Sequence, residues 1–308
     1  MEGNKTTIPL VSVVILSYNR CTELLYTVSQ VYTMDYTPYE VIVVDNNSTD
    51  GSVEMVNEKF PLAKLIRLPE NIGIAGWNEG AKLAQGEYLL FLDDDSYPEK
   101  SVLSLAIPQC NSDTIYALEI RDPGEEISAF NGFKIIPTFV GCGVIIPREL
   151  FIALDGFESL LFLYAHEEEF SMRALNRGHK LQFIPGMIVY HRRSQKNRRL
   201  NGKKTIDKRR IYYKNRNAII LLLLHFPVAT ALPRICRLCA GRILFSLVHH
   251  CFLTVMTSIL DGFIISRVNW NKRLILHEDV QQVFRHGKGI GSFFSGGDVG
   301  FKRPKWIS

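Results

Sequence analysis

Three features of the sequence predict an α/β fold on a doubly wound, mostly parallel sheet with amphipathic helices at its C-terminal end. Apolar, β-branched runs of strand length alternate with segments of helical periodicity. Each early run stops at a cluster of short polar residues, and a composition of 46% hydrophobic and 22% charged residues is that of a globular chain. At 308 residues the chain exceeds a usual single domain. A first domain is therefore expected over residues 1–216 and a helical, membrane-associating region over 217–308.

The elements follow in order. Val11 to Leu16 and Val41 to Val44 are continuous apolar runs, the signature of buried parallel strands. Between them Leu24, Leu25, Val28 and Val31 recur at helical spacing over Thr22 to Tyr32, with Thr22 as the expected N-cap. A helix over Ser52–Lys59, a strand over Lys64–Leu68, a helix over Ala75–Ala84 and a strand over Tyr88–Leu92 continue the alternation. Further on, a strand is predicted over Phe139–Ile146, helices over Arg148–Leu154 and His166–Arg177, a closing strand pair through Val189, and a helix over Ile206–Leu224. The run Ile243–Leu260 reaches the length of a membrane span but carries His249, His250, Thr254, Thr257 and Ser258. With Arg234, Arg237 and Arg242 upstream, it is better read as helix lying in an interface plane.

In a doubly wound sheet ligands bind beyond the carboxyl ends of the strands. Those ends read Ser17-Tyr18-Asn19-Arg20, Asp45-Asn46-Asn47-Ser48 and Asp93-Asp94-Asp95. Three consecutive carboxylates repel one another unless a cation intervenes, and hard oxygen donors suit magnesium or manganese. Asp93 and Asp95, two apart in extended backbone, share one side. His191 closes an apolar strand and offers a neutral imidazole that could complete a metal site. Asp45 opens a loop of short acceptors able to wrap a nucleoside, although such a loop also serves as a simple capped turn. His166-Glu167-Glu168-Glu169 enters a helix; consecutive helical positions diverge by about 100°, so the three glutamates cannot share one cleft. Glu169 and Arg173, four apart, are set to pair along the helix.

These pieces, joined by Asn71-Ile72-Gly73-Ile74-Ala75-Gly76-Trp77-Asn78, Pro185-Gly186 and Tyr213-Lys214-Asn215-Arg216-Asn217, resemble in this order the inverting glycosyltransferases of family 2 over residues 10–225. The last piece and the basic-apolar tail are similar to rhamnosyl- and galactofuranosyltransferase-like members. The resemblance implies a GT-A fold and transfer of a sugar from a nucleotide-diphosphate donor to a hydroxyl of a glycan or lipid-linked acceptor. It further implies donor contacts at Ser17, Tyr18, Asn19, Arg20, Asp45, Asn71, Asn78 and Asp94, and a Mn2+ or Mg2+ ion on Asp93, Asp95 and His191. Glu167 stands where the family usually has its catalytic Asp, with Glu168 as the alternative base. Asp155-Gly156-Phe157-Glu158 departs from the family's usual Gly-Gly-Phe-Asp.

A net charge of +5 conceals a crowd of basic residues between Arg192 and Arg216. Aromatics are not interleaved through it, which argues against nucleic acid and leaves anionic lipid, a diphosphate or solvent as its partner. The absence of G-x-G-x-x-G after the first strand speaks against a dinucleotide dehydrogenase. No phosphate-cradling loop supports the alternative of a sugar-nucleotide nucleotidyltransferase; the other alternative is a nucleotide-binding scaffold without turnover. Six scattered cysteines fit a reducing compartment, and the polar N-terminus lacks the apolar run of a secretory signal. The expected location is the cytoplasm, peripheral at the inner face of the cell membrane, with self-association left open.

Overall fold

The structure is a computed structural model that describes residues 8–124, 134–192, 199–200, 203–204 and 207–286. Much of the basic stretch after Arg192 and all of 287–308 lie outside the described residues. The chain forms two units, Met1–Ser159 with His179–Arg193, and Leu160–Gly178 with Ser194–Ser308. The sequence drew its boundary at 216 instead.

Among the described residues the first unit is built on a nine-stranded sheet, eight strands in the order β3-β2-β1-β4-β8-β6-β9-β5 and β7 paired to β9 off that path. Its first half is parallel: β1 (Val11–Ser17), β2 (Tyr39–Asp45), β3 (Lys64–Arg67) and β4 (Tyr88–Asp93), connected by α1 (Cys21–Val31), α2 (Ser52–Lys59) and α3 (Gly76–Leu83). The expected strands and helices of this half are present, with differences at two helix starts. Thr22 does not cap α1; the cap position is Arg20, and the free N–H of Cys21 is satisfied by Asp50 Oδ2 at 2.8 Å, a partner distant in sequence. The third helix opens as a 3-10 turn over Gly73–Ala75 before α3 begins.

The second half departs further from the pattern. After β5 (Ser96–Pro98), α4 (Val102–Ala106), β6 (Thr114–Arg121) and β7 (Lys134–Ile135), the expected strand over Phe139–Ile146 is confined to β8 (Val144–Pro147). Gly143 lies so close to Ile120 and Val189 that a Cβ there would meet Ile120 Cδ1 at 2.4 Å, and the chain before it turns instead of pairing. Helix α5 (Arg148–Ala153) follows as predicted. The expected strand pair near Val189 is one strand, β9 (Lys180–His191), which runs parallel to β6. It is bulged between partners Ile184 and Ile188, where Gly186 N–H donates to Glu119 Oε2 at 2.7 Å.

The second unit is helical, with α6 (His166–Asn176), α7 (Lys208–His225), α8 (Val228–Val248), α9 (Phe252–Val268) and α10 (Glu278–His286), and a two-residue ribbon of β10 (Arg199–Leu200) and β11 (Lys203–Lys204). Its core gathers Met172 with the run Ala218–Leu224, Phe226, Ile235 and Phe284. The apolar run Ile243–Leu260 is broken at His249–His250, where His250 takes φ 53° between α8 and α9. No helix of the described residues is long and apolar enough to cross a membrane.

Helix α3 docks closely on the sheet because it has glycine at Gly76 and Gly80. A Cβ on Gly80 would meet Val14 Cγ1 at 2.4 Å and Val44 Cγ2 at 2.8 Å. The gain in helix propensity from Gly80→Ala is about 1 kcal/mol, whereas overpacking costs about 1–3 kcal/mol. A net loss of stability, read as a lower urea midpoint, is expected.

Candidate active site

The carboxyl ends of β1, β2 and β4 are tied to one another by side chains. β1 pairs with β4 so that Leu16 lies opposite Asp93, which puts Ser17 to Arg20 beside the acidic triplet. Asp94 is buried, and its carboxylate accepts from Ser17 Oγ at 3.1 Å and Tyr18 N at 3.4 Å. The Arg20 guanidinium bridges the triplet, with Nε 3.4 Å from Asp94 Oδ1 and Nη2 2.9 Å from Asp95 Oδ2. Burial, only partly opposed by Arg20, pushes the Asp94 carboxyl up to about 8. Asp95 is buried too, yet its bond to His191 and the charges of His191 and Arg20 hold it below the ordinary carboxylate range.

Sheet pairing delivers His191 to this turn. β5 and β9 run antiparallel with Ser96 opposite His191, and Ser96 Oγ accepts from Asp93 N at 2.9 Å. His191 Nε2 lies 3.0 Å from Asp95 Oδ1, while its Nδ1 lies 3.7 Å from Cys142 Sγ. Ligand atoms of Asp93, Cys142 and His191 all fall within 4.8 Å of one another. The oxygen and nitrogen donors of Asp93, Asp95 and His191 suit a divalent cation, and the mutual crowding of the carboxylates would be relieved by one. Cys142 is the member that sequence reasoning missed; it belongs to the turn that replaced the predicted strand, and only sheet pairing brings it to His191.

The Asp45 loop meets the β1 loop. Asn19, at φ 52°, donates its N–H to Ser48 Oγ at 2.8 Å and accepts at Oδ1 from Thr49 N at 2.8 Å. Asp45 is fully buried; Oδ2 accepts from Ser48 N at 2.9 Å, and Oδ1 has no partner among the described residues. A buried, unpaired carboxylate oxygen costs free energy unless a donor reaches it. Tyr18 is exposed. Of the two asparagines expected at the donor, Asn71 accepts locally from Gly73 N at 2.9 Å. Asn78 exchanges two 2.8 Å bonds with the backbone of Phe157. That exchange pins the Asp155–Glu158 loop, where Gly156 takes φ 64° and a Cβ would collide with Asn78 Oδ1 at 2.6 Å.

Glu167 and Glu168 stand in the first turn of α6, in the second unit. The loop before them carries three non-glycine residues in left-handed backbone, Phe162, Tyr164 and Ala165. Asn217 Nδ2 donates to the carbonyls of Leu161, Leu163 and Tyr164 at 2.8–2.9 Å, and Arg216 Nη2 reaches those of Leu160 and Leu161. The Tyr213–Asn217 segment thus shapes the approach to α6, a role invisible in its sequence. Glu167 Oε2 lies 3.1 Å from Nδ1 of His166, whose burial disfavours its protonated form. Burial and the neighbouring Glu167 charge push Glu168 up to about 8.

Residues 12–152 match the family model described as Glycosyl transferase family 2. The chain is 25% identical over 195 residues to the Escherichia coli UDP-Glc:alpha-D-GlcNAc-diphosphoundecaprenol beta-1,3-glucosyltransferase WfaP, covering 59% of this chain and 77% of that protein. Other curated relatives match over shorter segments, such as 39% of the putative teichuronic acid biosynthesis glycosyltransferase TuaG of Bacillus subtilis, at 36% identity over 31% of this chain. Among solved structures, a Pyrobaculum calidifontis mannosyltransferase in complex with GDP-Man and Mn2+ superposes with TM-score 0.56 at 19% identity, covering 87% of this chain and 89% of that one. These likenesses agree with the α/β architecture and with the predicted GT-A fold.

Glu169, unlike its two neighbours, is committed to the core of its unit. Arg173 donates to it through Nε at 2.7 Å and Nη2 at 2.6 Å, and His225 Nε2 lies 3.4 Å away. Burial opposes its charge, but Arg173 and His225 outweigh burial and draw it down to about 2 from 4.5. A depressed acid stabilises the fold above its unfolded value and loses that contribution as pH falls from about 4.5 through about 2. Glu169→Gln is expected to destabilise by roughly 3 kcal/mol at neutral pH. Thermal melts should also show a smaller loss of stability in this acid window than in the parent.

Proposed function

We propose that the chain is a glycosyltransferase built on a family 2 domain of GT-A fold that inverts configuration while moving a sugar from a nucleoside-diphosphate donor to a hydroxyl of a glycan or lipid-linked acceptor in cell-surface polysaccharide synthesis. It does so on the cytoplasmic side, at the membrane surface. The observation that carries this reading is the acidic strand end, where Asp93 gathers with Cys142 and His191 and Asp95 Oδ1 lies 3.0 Å from His191 Nε2. The buried acceptor of Asp45 adds to it. The Escherichia coli relative is named for a UDP-sugar donor and a diphosphoundecaprenol-linked acceptor, the same two substrate classes.

In this reading Asp93, Asp95 and His191 would hold Mn2+ or Mg2+, which when bound offsets charge on the departing diphosphate. Asp45 Oδ1 accepts from a base or ribose donor, with Ser17 to Arg20, Asn71, Asn78 and Asp94 forming or supporting the donor site. Arg20 keeps Asp94 and Asp95 in register. Glu167 takes the proton of the acceptor hydroxyl as that oxygen attacks the anomeric carbon opposite the leaving group. Glu168, raised to about 8, stays largely protonated at neutral pH and is the weaker choice of base.

Screening a panel of nucleotide sugars with manganese, by thermal shift and then product mass, tests the assignment; absence of any transferred sugar would refute it. Glu167→Gln should lower transfer by roughly 100- to 10,000-fold while donor binding persists, and full activity removes Glu167 from the mechanism. For Asp95→Ala, calorimetry should show loss of the manganese-dependent part of donor binding, and an unchanged isotherm refutes the metal assignment.

A further inference from the structure

Helix α9 presents large apolar residues to its outer side. Its protein-facing side combines the small residues Ser258, Gly262 and Ser266 with buried Val255 and partly buried Ile259 and Ile265. A Cβ on Gly262 would meet Ile219 Cβ of α7 at 2.9 Å. The two serine hydroxyls are satisfied inside the helix, Ser258 Oγ on Val255 O and Ser266 Oγ on Gly262 O, each at 2.7 Å. The opposite side carries the large apolar groups, Leu253 at 78% exposure, Leu260 at 55%, Ile264 at 58% and Val268 at 74%, spaced to form one stripe. Leu247 at 60% and Val248 at 72% extend the apolar surface onto the end of α8. Soluble helices put their large apolar residues inward, whereas small residues toward protein and large ones outward is the packing of helices solvated by lipid.

Charge selects among the things that could cover this face. From Pro227 to His277 the chain has six cationic residues, Arg234, Arg237, Arg242, Arg267, Lys272 and Arg273, against the single acid Asp261, which accepts from Tyr212 Oη. Arg237, Arg267 and Lys272 are exposed. A second copy docked by two-fold symmetry would bring this cationic surface against itself, which is unfavourable. An anionic bilayer complements both the apolar stripe and the charge. The break at His249–His250 and the absence, among described residues, of a helix fit to span favour helices in the interface plane.

We propose that the outward face of α9, with the end of α8, is a membrane-docking surface for anionic phospholipid. Its leucine, isoleucine and valine side chains sit among the upper acyl chains, and Arg237, Arg267 and Lys272 sit at the headgroup phosphates. The proposal deepens the membrane-surface part of the function above and rests on that part alone.

The test is flotation of the full chain with vesicles of phosphatidylcholine containing about one third phosphatidylglycerol, and with phosphatidylcholine alone. The parent should float with the anionic vesicles and bind the neutral ones on the order of tenfold more weakly. L253E/I264E should lose tenfold or more of the anionic binding, roughly the effect of removing two buried apolar groups. L253M/I264M should retain it, and circular dichroism melts of both variants should match the parent. A parent that stays unbound, or an L253E/I264E variant that floats as the parent does, overturns the proposal. So does light scattering in which the parent is a dimer that L253E/I264E converts to monomer with lipid binding unchanged. Flotation that appears only after removal of residues 287–308 overturns it too, by showing that the chain's own tail covers the face. Transfer to a soluble acceptor without flotation sinks the docking surface alone, whereas flotation without transfer sinks the enzymatic reading alone.

Discussion

Three consecutive carboxylates at the end of a buried strand cannot all stay ionised without cations beside them, and the first unit is organised around that demand. Arg20 meets it from β1, with its guanidinium between Asp94 and Asp95, and His191 reaches Asp95 Oδ1 from β9. The two are brought together by strand register, Leu16 opposite Asp93 and Ser96 opposite His191. The carboxylates at this edge and the neighbouring buried Asp45 oxygen, which has no partner among the described residues, are what the proposed metal and nucleotide sites rest on. Burial raises the Asp94 carboxyl to about 8, while Asp95, paired with His191 and Arg20, is held below the ordinary carboxylate range.

The second unit solves a different problem with the same economy of polar atoms. The loop entering α6 holds left-handed residues whose backbone costs about 1–3 kcal/mol each, and one asparagine amide and one guanidinium gather its carbonyls. Glu169, Arg173 and His225 then anchor the helix internally. The glutamates that begin α6 therefore stand on a support made by α7, which is why residues 160–178 group with the C-terminal helices. α9 approaches the same α7 closely at Gly262 and presents Leu253, Leu260, Ile264 and Val268 outward.

Local pattern and tertiary context contributed unequally across the chain. The parallel half of the sheet was legible because its strands are continuous apolar runs and its helices keep their period, so Ser52–Lys59 is found where the spacing puts it. The Glu169–Arg173 pair was legible for the same reason, being a matter of one helical turn. β6, the bulge in β9 and the turn at Cys142 were not, since each depends on a partner strand distant in sequence. Thr22 failed as a cap because Asp50, from another loop, reaches the same helix end. Asn78 reads as a ligand-facing residue in its motif, yet it closes on Phe157.

By itself, then, the sequence determined the alternation of strand and helix, the acidic strand end, the family resemblance and the identity of the candidate ligands, because these are local properties of residue type and period. Tertiary structure alone decided which of those ligands meet, which carboxyls are charged, that Arg216 and Asn217 hold the loop before α6, and that the apolar face of α9 points outward. Those outcomes depend on contacts between segments far apart in the chain, and no pattern within either segment encodes its partner.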